Sequence, residues 1–473
     1  MDRQYTGHRP VERWQLLAHS ASPSSMDTTT AMASPPAPGG CTPATPAASS
    51  APLSQRCHHR RECGVSSRNW LPFGALEAAT IFSGTANGIS MIAFPWLVLE
   101  ATGSASAAGA LGAITAAPLL VSFLFAGVIV DIVGRRRVAV VSDLLSMTSV
   151  ALVPILSGWY TLSFWPLAAL AVLGATFDPA GISAREAMLP EAARSAGLRL
   201  ERANGIHEAI WGAAFLIGPG IGGLAIGFLG AATTFWLSAA MFAVGALIMY
   251  AVRIPGAGRP QRHEDASGVW TSTVEGVRFV WNDRILRTVG LVSMVIVGFW
   301  LPIEGVVLPV YFQGLEQPQR LGVTVMALSG GGIVGALIYG AIGHRIGRRL
   351  AFVTSMTGSG AAVLGMATLP AYAVLLIFAI LAGLFYGPVG PLVNLMIQHR
   401  TPGILRGRVI GLLTSAAYVA GPIGYLISGP MVEFLGLQVA FVIMSAGVLG
   451  VGLSTWFLPS LRHMDDTVGL PGE

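Results

Sequence analysis

Hydrophobic positions in this chain come in long, uncharged runs separated by short polar stretches. The runs lie near residues 72–99, 106–130, 138–158, 163–187, 203–229 and 231–253. A polar stretch at 254–286 follows, and then six more runs at 288–312, 321–343, 350–369, 371–398, 407–430 and 437–458. About 20 apolar residues cross a bilayer as a helix, and only helices or closed barrels satisfy their own backbone in lipid. A barrel strand would alternate at every second residue, which these runs do not do. The pattern predicts an all-α polytopic membrane protein of twelve transmembrane helices in two pseudo-symmetric six-helix bundles. Runs longer than the minimum span tilt or project from the bilayer.

The expected organisation is a disordered N-terminal tail over 1–69, a first bundle over 70–253 and a cytoplasmic linker over 254–286. A second bundle over 287–458 and a cytoplasmic C-terminal tail over 459–473 complete it. Ser, Pro, Ala and Thr dominate from Ser20 to Pro52 without a periodic apolar face, the composition of a segment that buries no core. An over-long start, with initiation at Met26 or later, reads equally well. The cysteines, Cys41, Cys57 and Cys63, all lie in that tail. Their spacing beside His58 and His59 fits no common zinc pattern, so no metal, disulfide or cofactor is expected.

Charge fixes the expected orientation. Only 11% of residues are charged, against about 25% in soluble domains, so lipid rather than water faces most of the chain. Lysine is absent and the 28 basic residues are all arginine. With both termini inside, the loops at 131–138, 188–202, 254–286, 344–349 and 399–408, their flanking helix ends and the tails hold every arginine except Arg320. Positive charge marks the cytoplasmic side, which places both termini there, in a plasma membrane. The same clustering argues against nucleic acid as a partner.

One charged turn organises the pattern, Gly127-Val128-Ile129-Val130-Asp131-Ile132-Val133-Gly134-Arg135-Arg136-Arg137, and it has an echo in Gly340-Ala341-Ile342-Gly343-His344-Arg345-Ile346-Gly347-Arg348-Arg349. Likewise Arg202-Ala203-Asn204-Gly205 precedes a run with Gly218-Pro219, as Arg406-Gly407-Arg408-Val409 precedes one with Gly421-Pro422. Parallel repeats around a midplane cavity are a transporter plan.

On these residues the chain resembles the major facilitator superfamily. Gly127, Asp131, Gly134, Arg135 and Arg136 match its G-x-x-x-D-x-x-G-R/K-R/K turn, with Ile132 where a basic residue is usual. The fifth run resembles the superfamily's antiporter signature through Gly205, Gly218, Pro219, Gly222 and Gly223, with Ala214 replacing one glycine. Ile92-Ala93-Phe94-Pro95-Trp96, Phe177-Asp178-Pro179-Ala180 with Leu189-Pro190-Glu191, and Arg406-Gly407-Arg408-Val409 are similar to the drug-exporter branch of macrolide efflux and enterobactin export proteins.

The resemblance implies that Asp131 latches two lobes at the cytoplasmic side, an acid beside a helix N-terminus meeting its positive dipole end. Asp143 and Asp178 are further latch candidates. The fifth-helix glycines read either as a generic close-packing face or as a kinked contact sealing the cavity. Acids inside a membrane are costly and functional by default, which singles out Glu304, between Pro302 and Pro309, as a proton-titrating or cation-attracting group; an acid that merely reaches outer water is the equal reading. Glu208, Trp300, Tyr386 and Asn394 are the other proton or substrate candidates. In the first run, where the branch often has an acid, stands Asn87-Gly88.

The resemblance therefore implies a secondary active efflux transporter, exchanging protons for amphipathic drug-like or macrolide-like molecules by alternating access, and monomeric. Export of an endogenous siderophore or secondary metabolite is the alternative, and a non-transporting receptor the alternative from another class. No paired histidines or Ser–His set converges at one membrane face, so no enzyme is expected. No Gly-Lys-Ser/Thr follows Gly218-Pro219-Gly220-Ile221-Gly222, which excludes a phosphate loop there.

Overall fold

With no water to bond its amides, a chain in lipid must use its own carbonyls, and among the described residues the computed structural model contains helices and no strand. It describes residues 69–252, 254, 269–401 and 406–465. The expected tail, with its cysteines, most of the linker and residues 466–473 lie outside them, as do the side chain of Asp131 and the surroundings of Gly127. The first lobe holds α1 (Leu71–Thr102), α2 (Ala105–Val133), α3 (Arg135–Ser157), α4 (Phe164–Ala196), α5 (Leu200–Leu229) and α6 (Ala231–Ala251). After α7 (Val269–Asn282) come α8 (Arg284–Gly314), α9 (Pro318–Ile342), α10 (Arg348–Ala367), α11 (Tyr372–Arg400), α12 (Arg406–Leu435) and α13 (Leu437–Phe457).

Ten of these helices are long and apolar enough to cross a membrane. In α2 and α12, where some side chains are not described, the apolar portions are Ala105–Pro118 and Val419–Leu435. The chain is thus an all-helical multi-pass membrane protein.

Three elements differ from the run pattern. The linker contains α7, whose Val280 packs with Leu286, Ile397, Val409 and Leu413 while Val277 and Trp281 stay exposed. Its two-faced character was hidden because charged residues dilute the apolar ones. α4 continues to Ala196, well past the apolar run, since Arg185, Glu186 and Glu191 lower hydropathy without disfavouring a helix. α11 breaks at Gly387-Pro388, because Pro388 has no N–H to donate.

Within the first lobe α1 is surrounded by α2, α4, α5 and α6, and α3 packs on α4 and α6. In the second, α10 pairs with α13, α9 with α11, and α8 with α12. The lobes meet along α2–α12 and α5–α9, with α1 also touching the outer part of α8.

Close approach sets these contacts. A Cβ at Gly88 would lie 2.8 Å from the Pro219 ring and 2.9 Å from Gly218 Cα, and one at Gly218 would lie 2.8 Å from Gly88 Cα. Across the lobes, a Cβ at Gly223 would lie 2.7 Å from Gly322 Cα, and one at Gly429 2.6 Å from Ser106 Cα. A Cβ at Gly112 would lie 2.7 Å from the Tyr425 ring. These inter-lobe contacts gather at the helix ends opposite the arginine turns.

Gly88→Ala should destabilise the fold by about 1–3 kcal/mol, as overpacking does. Gly74→Ala on the same helix, where nothing lies within 4 Å, should be neutral. Thermal unfolding in detergent checks this; equal melting temperatures for the two variants would contradict the packing account.

Candidate functional site

At the charged turn, Gly134 has φ 99°, a value that costs any residue with a Cβ, and it lets α3 start directly after α2. Arg135 Nη1 lies 2.9 Å from Glu191 Oε1 on α4. Arg136 Nε donates to the Met249 carbonyl at 3.0 Å, and its guanidinium also donates to the Tyr250 carbonyl. A cation there meets the negative end of the α6 dipole. The second copy repeats the device, with Arg349 donating to the Trp456 carbonyl of α13 at 3.1 Å. These described contacts fasten helices within each lobe.

The other latch candidates also find partners inside the first lobe. Arg185 Nη1 reaches both Asp143 oxygens at 2.9 and 3.0 Å, and its Nη2 donates to Ser83 Oγ at 2.9 Å. Ser83 Oγ donates to Asp143 Oδ1 at 2.9 Å, so α1, α3 and α4 share one buried knot. Asp178 is not brought to the charged turn. It accepts from Asn87 Nδ2 on α1 at 2.8 Å. Depth explains the difference, since Asp178 lies about 21 Å along α4 from Phe164 at 1.5 Å per residue, near the middle of the helix.

One residue, Arg185, and one pairing, His207 with Glu77, escaped the sequence reading. Arg185 is 1% exposed; grouped with the arginines of the helix end, it was not separated from those that face water. Its spacing from Asp178, two helical turns, was the available signal. His207 Nδ1 lies 3.1 Å from both oxygens of Glu77, and both residues are buried between α1 and α5. Glu208, next in sequence, is exposed and belongs to neither cluster.

In the second lobe, Glu304 is the second residue of a π-turn at Ile303–Val307, a helix irregularity common at functional sites. Trp300 Nε1 donates to Glu304 Oε1 at 2.7 Å. The Trp300 ring stacks on Tyr386 of α11 with centroids 5.1 Å apart and planes 17° apart. The three residues are half-buried. An acid, an indole and a phenol thus form one partly open cluster, able to attract a cation and to offer it an aromatic face. Asn394 lies apart from this cluster, exposed on the far segment of α11 beyond the break.

The glycines of α5 divide between two faces. Gly218 and Gly222 meet α1, Gly223 meets Gly322 on α9, and Pro219 touches Gly88 by its ring and Gly322 by its carbonyl. Gly205 has open space around it. At the same pole, Glu433 accepts from Ser104 Oγ, Ser106 N and Ser106 Oγ at 2.6, 2.9 and 2.6 Å. Those bonds join α12 to the start of α2, across the lobes, and hold this exposed carboxyl, beyond the apolar run at 407–430, below the usual range.

The Major Facilitator Superfamily profile matches residues 76–316 and 305–469. The chain is 43% identical over 390 residues to a multidrug efflux pump, Tap, of Mycobacterium tuberculosis, covering 82% of this chain and 93% of that one. The same identity holds over 390 residues with Tap of Mycolicibacterium fortuitum, covering 95% of that chain. Macrolide efflux protein A of Streptococcus pyogenes is 20% identical over 410 residues, covering 84% and 98% of the two chains. Among solved structures, a point mutant of the nucleoside transporter NupG superposes with TM-score 0.69 at 13% identity, over 82% of this chain and 99% of that one.

Both the buried knot and the outer clasp can be tested by substitution. Asp143→Asn should cost about 3–5 kcal/mol, since it leaves the Arg185 charge buried without its counter-ion. Replacing both residues by leucine should recover part of the loss, and thermal unfolding decides it. Glu433→Gln should loosen the α2–α12 seam, read as faster maleimide labelling of Ala113→Cys, a buried position on α2 next to Gly112, which packs on Tyr425 of α12, in a chain whose Cys41, Cys57 and Cys63 are serine. Because the clasp depresses the Glu433 pKa, it is complete above the ordinary carboxylate range and is lost as pH falls through the lowered value. Unchanged labelling in Glu433→Gln would remove the clasp from the account.

Proposed function

Because the chain belongs to the major facilitator superfamily, we propose that it is a proton-coupled antiporter exporting amphipathic, drug-like or macrolide-like small molecules. The 43% identity to the Tap pumps supports efflux as its direction. The Glu304–Trp300–Tyr386 cluster carries the reading of substrate chemistry, because it sets a carboxylate beside stacked rings. A cationic, partly aromatic molecule satisfies the acid by charge and the rings by stacking. The alternative, an acid merely reaching water, leaves the 2.7 Å indole bond and the π-turn without purpose.

Orientation follows from charge. The positive-inside rule places the arginine turns and both termini in the cytoplasm, and the Glu433 clasp and the glycine seams then close the outer face. The arrangement suits the cytoplasm-facing state of alternating access, in which substrate enters from inside. Export requires the outer seams to part while the inner turns approach, with Asp131 of the first charged turn as the candidate to meet the second lobe. Both lobes lie on one chain, so a monomer suffices.

Purified protein in proteoliposomes with an acid interior should accumulate ethidium, and a protonophore should abolish the accumulation. Glu304→Gln should reduce it about tenfold or more, the scale of one lost charge-assisted contact. Trp300→Phe, which keeps a ring and removes the N–H, should have a smaller effect. Absence of transport by the parent protein under either direction of pH gradient, for dyes and macrolides alike, would refute the reading.

A further inference from the structure

The first lobe contains several ionisable side chains that the substrate cluster does not use, and most are already committed. Asp143 is bonded at both oxygens by Arg185 and is 1% exposed. Glu77 is closed against His207. Glu191 pairs with Arg135, and Glu186 and Glu208 are exposed near the arginine-rich helix ends. Glu433 sits at the opposite surface, in reach of one side only. Asp178 differs from all of these.

Its hydrogen-bond partner is a neutral amide, Asn87 Nδ2, at 2.8 Å. Both residues are half-buried, whereas Ser83, Asp143 and Arg185 beside them are buried. The pair therefore stands at the edge of the packed lobe. α1 is covered by α2, α4, α5 and α6 and by the outer part of α8, so its partly open face looks into the space between the lobes rather than to lipid. The pair is also at mid-depth, with Asn87 about 22 Å along α1 from Thr102 at 1.5 Å per residue. A group at that depth, on the inter-lobe face, is placed to meet the aqueous space from each side in turn as the lobes rock.

The charged groups whose fields reach Asp178 are Arg185 on its own helix and Asp143 on α3. They are bonded to each other, so the net field of that knot is small. α1 contributes Asn87 and Ser83. α2 contributes Ser122, whose hydroxyl is occupied by the Thr176 carbonyl at 2.5 Å. A carboxyl with one neutral partner and compensated charges around it can gain or lose one proton without breaking an ion pair.

We propose that Asp178, positioned by Asn87, carries the proton exchanged for substrate, while Glu304 in the other lobe receives the substrate. The inference rests on the antiport reading above. One proton leaves the Asp178 carboxyl for cytoplasmic water as a cation binds beside the Glu304 carboxylate, and one proton returns from outside after the cation departs. In each half-cycle the two-acid space carries one positive charge, the proton on Asp178 inwards or the cation beside Glu304 outwards, so its net charge is the same in both; carrying both or neither would shift that charge by one. That condition is the physical content of coupling.

The test uses the full chain reconstituted in proteoliposomes with ethidium as the probe. Asp178→Asn, permanently neutral, should show at every pH the counterflow, the exchange of labelled for unlabelled dye, that the parent protein shows at acid pH. It should lose accumulation driven by a pH gradient by about tenfold or more. Asp178→Glu should restore part of the driven accumulation. In detergent, ethidium affinity should vary with pH for the parent protein and be flat for Asp178→Asn, a readout that needs no transport and decides the case if counterflow is lost as well. Driven accumulation by Asp178→Asn with the parent's pH profile, or an unchanged pH slope of binding, overturns the proposal. If the parent itself shows no pH-driven transport, the antiport reading fails instead and this inference falls with it.

Discussion

Helices already in lipid gain nothing hydrophobic by pairing, so how closely their backbones approach decides which of them stay together. In this protein that constraint falls most heavily on α5. One of its faces presents Gly218 and Gly222 to α1, and a neighbouring face presents Gly223 to Gly322 on α9. The first contact lies within a lobe and the second joins the lobes. α5 is thus fixed to its own bundle and also forms the surface on which the other bundle rests. Side chains at these positions would hold the backbones apart, and both the lobe and the seam would lose their packing.

Polar chemistry is arranged on that scaffold by how completely each group is satisfied. Asp143, Arg185 and Ser83 satisfy one another in the dry interior and bind three helices together. Such a knot resists change, because separating its charges in a low-dielectric medium is expensive. Asp178 and Glu304 are each met by a single neutral donor, Asn87 or Trp300, and remain half-open. The distinction separates charge locked in a buried ion pair from these two half-open acids, one in each lobe, on which the proposed exchange rests.

The internal repeat acquires a physical meaning at the arginine turns. Arg136 caps the carbonyl end of α6 and Arg349 does the same for α13. Each lobe therefore ties its third helix to its sixth by the same cation-to-dipole contact. The device recurs in both halves although His344 stands where the first copy has Asp131, so it does not depend on an acid at that position.

Membrane class, helix positions and the twofold repeat were legible in the residues, and Glu304, Trp300 and Tyr386 stood out there before the fold brought them together. Lipid imposes uncharged runs, glycine marks close approach, and an acid inside an apolar run is conspicuous. Partnership was not legible, because it joins residues far apart along the chain. Only the folded helices show that Asp178 meets Asn87 rather than the charged turn, that Arg185 is buried among acids, and that Glu433 bridges α12 to α2. Hydropathy likewise concealed α7 and the length of α4, since a charged residue lowers the average whether it faces water or an internal partner. Sequence determined which segments enter the membrane; tertiary structure decided which charges neutralise one another there, because neutralisation depends on distances of a few ångströms that no spacing along a chain encodes.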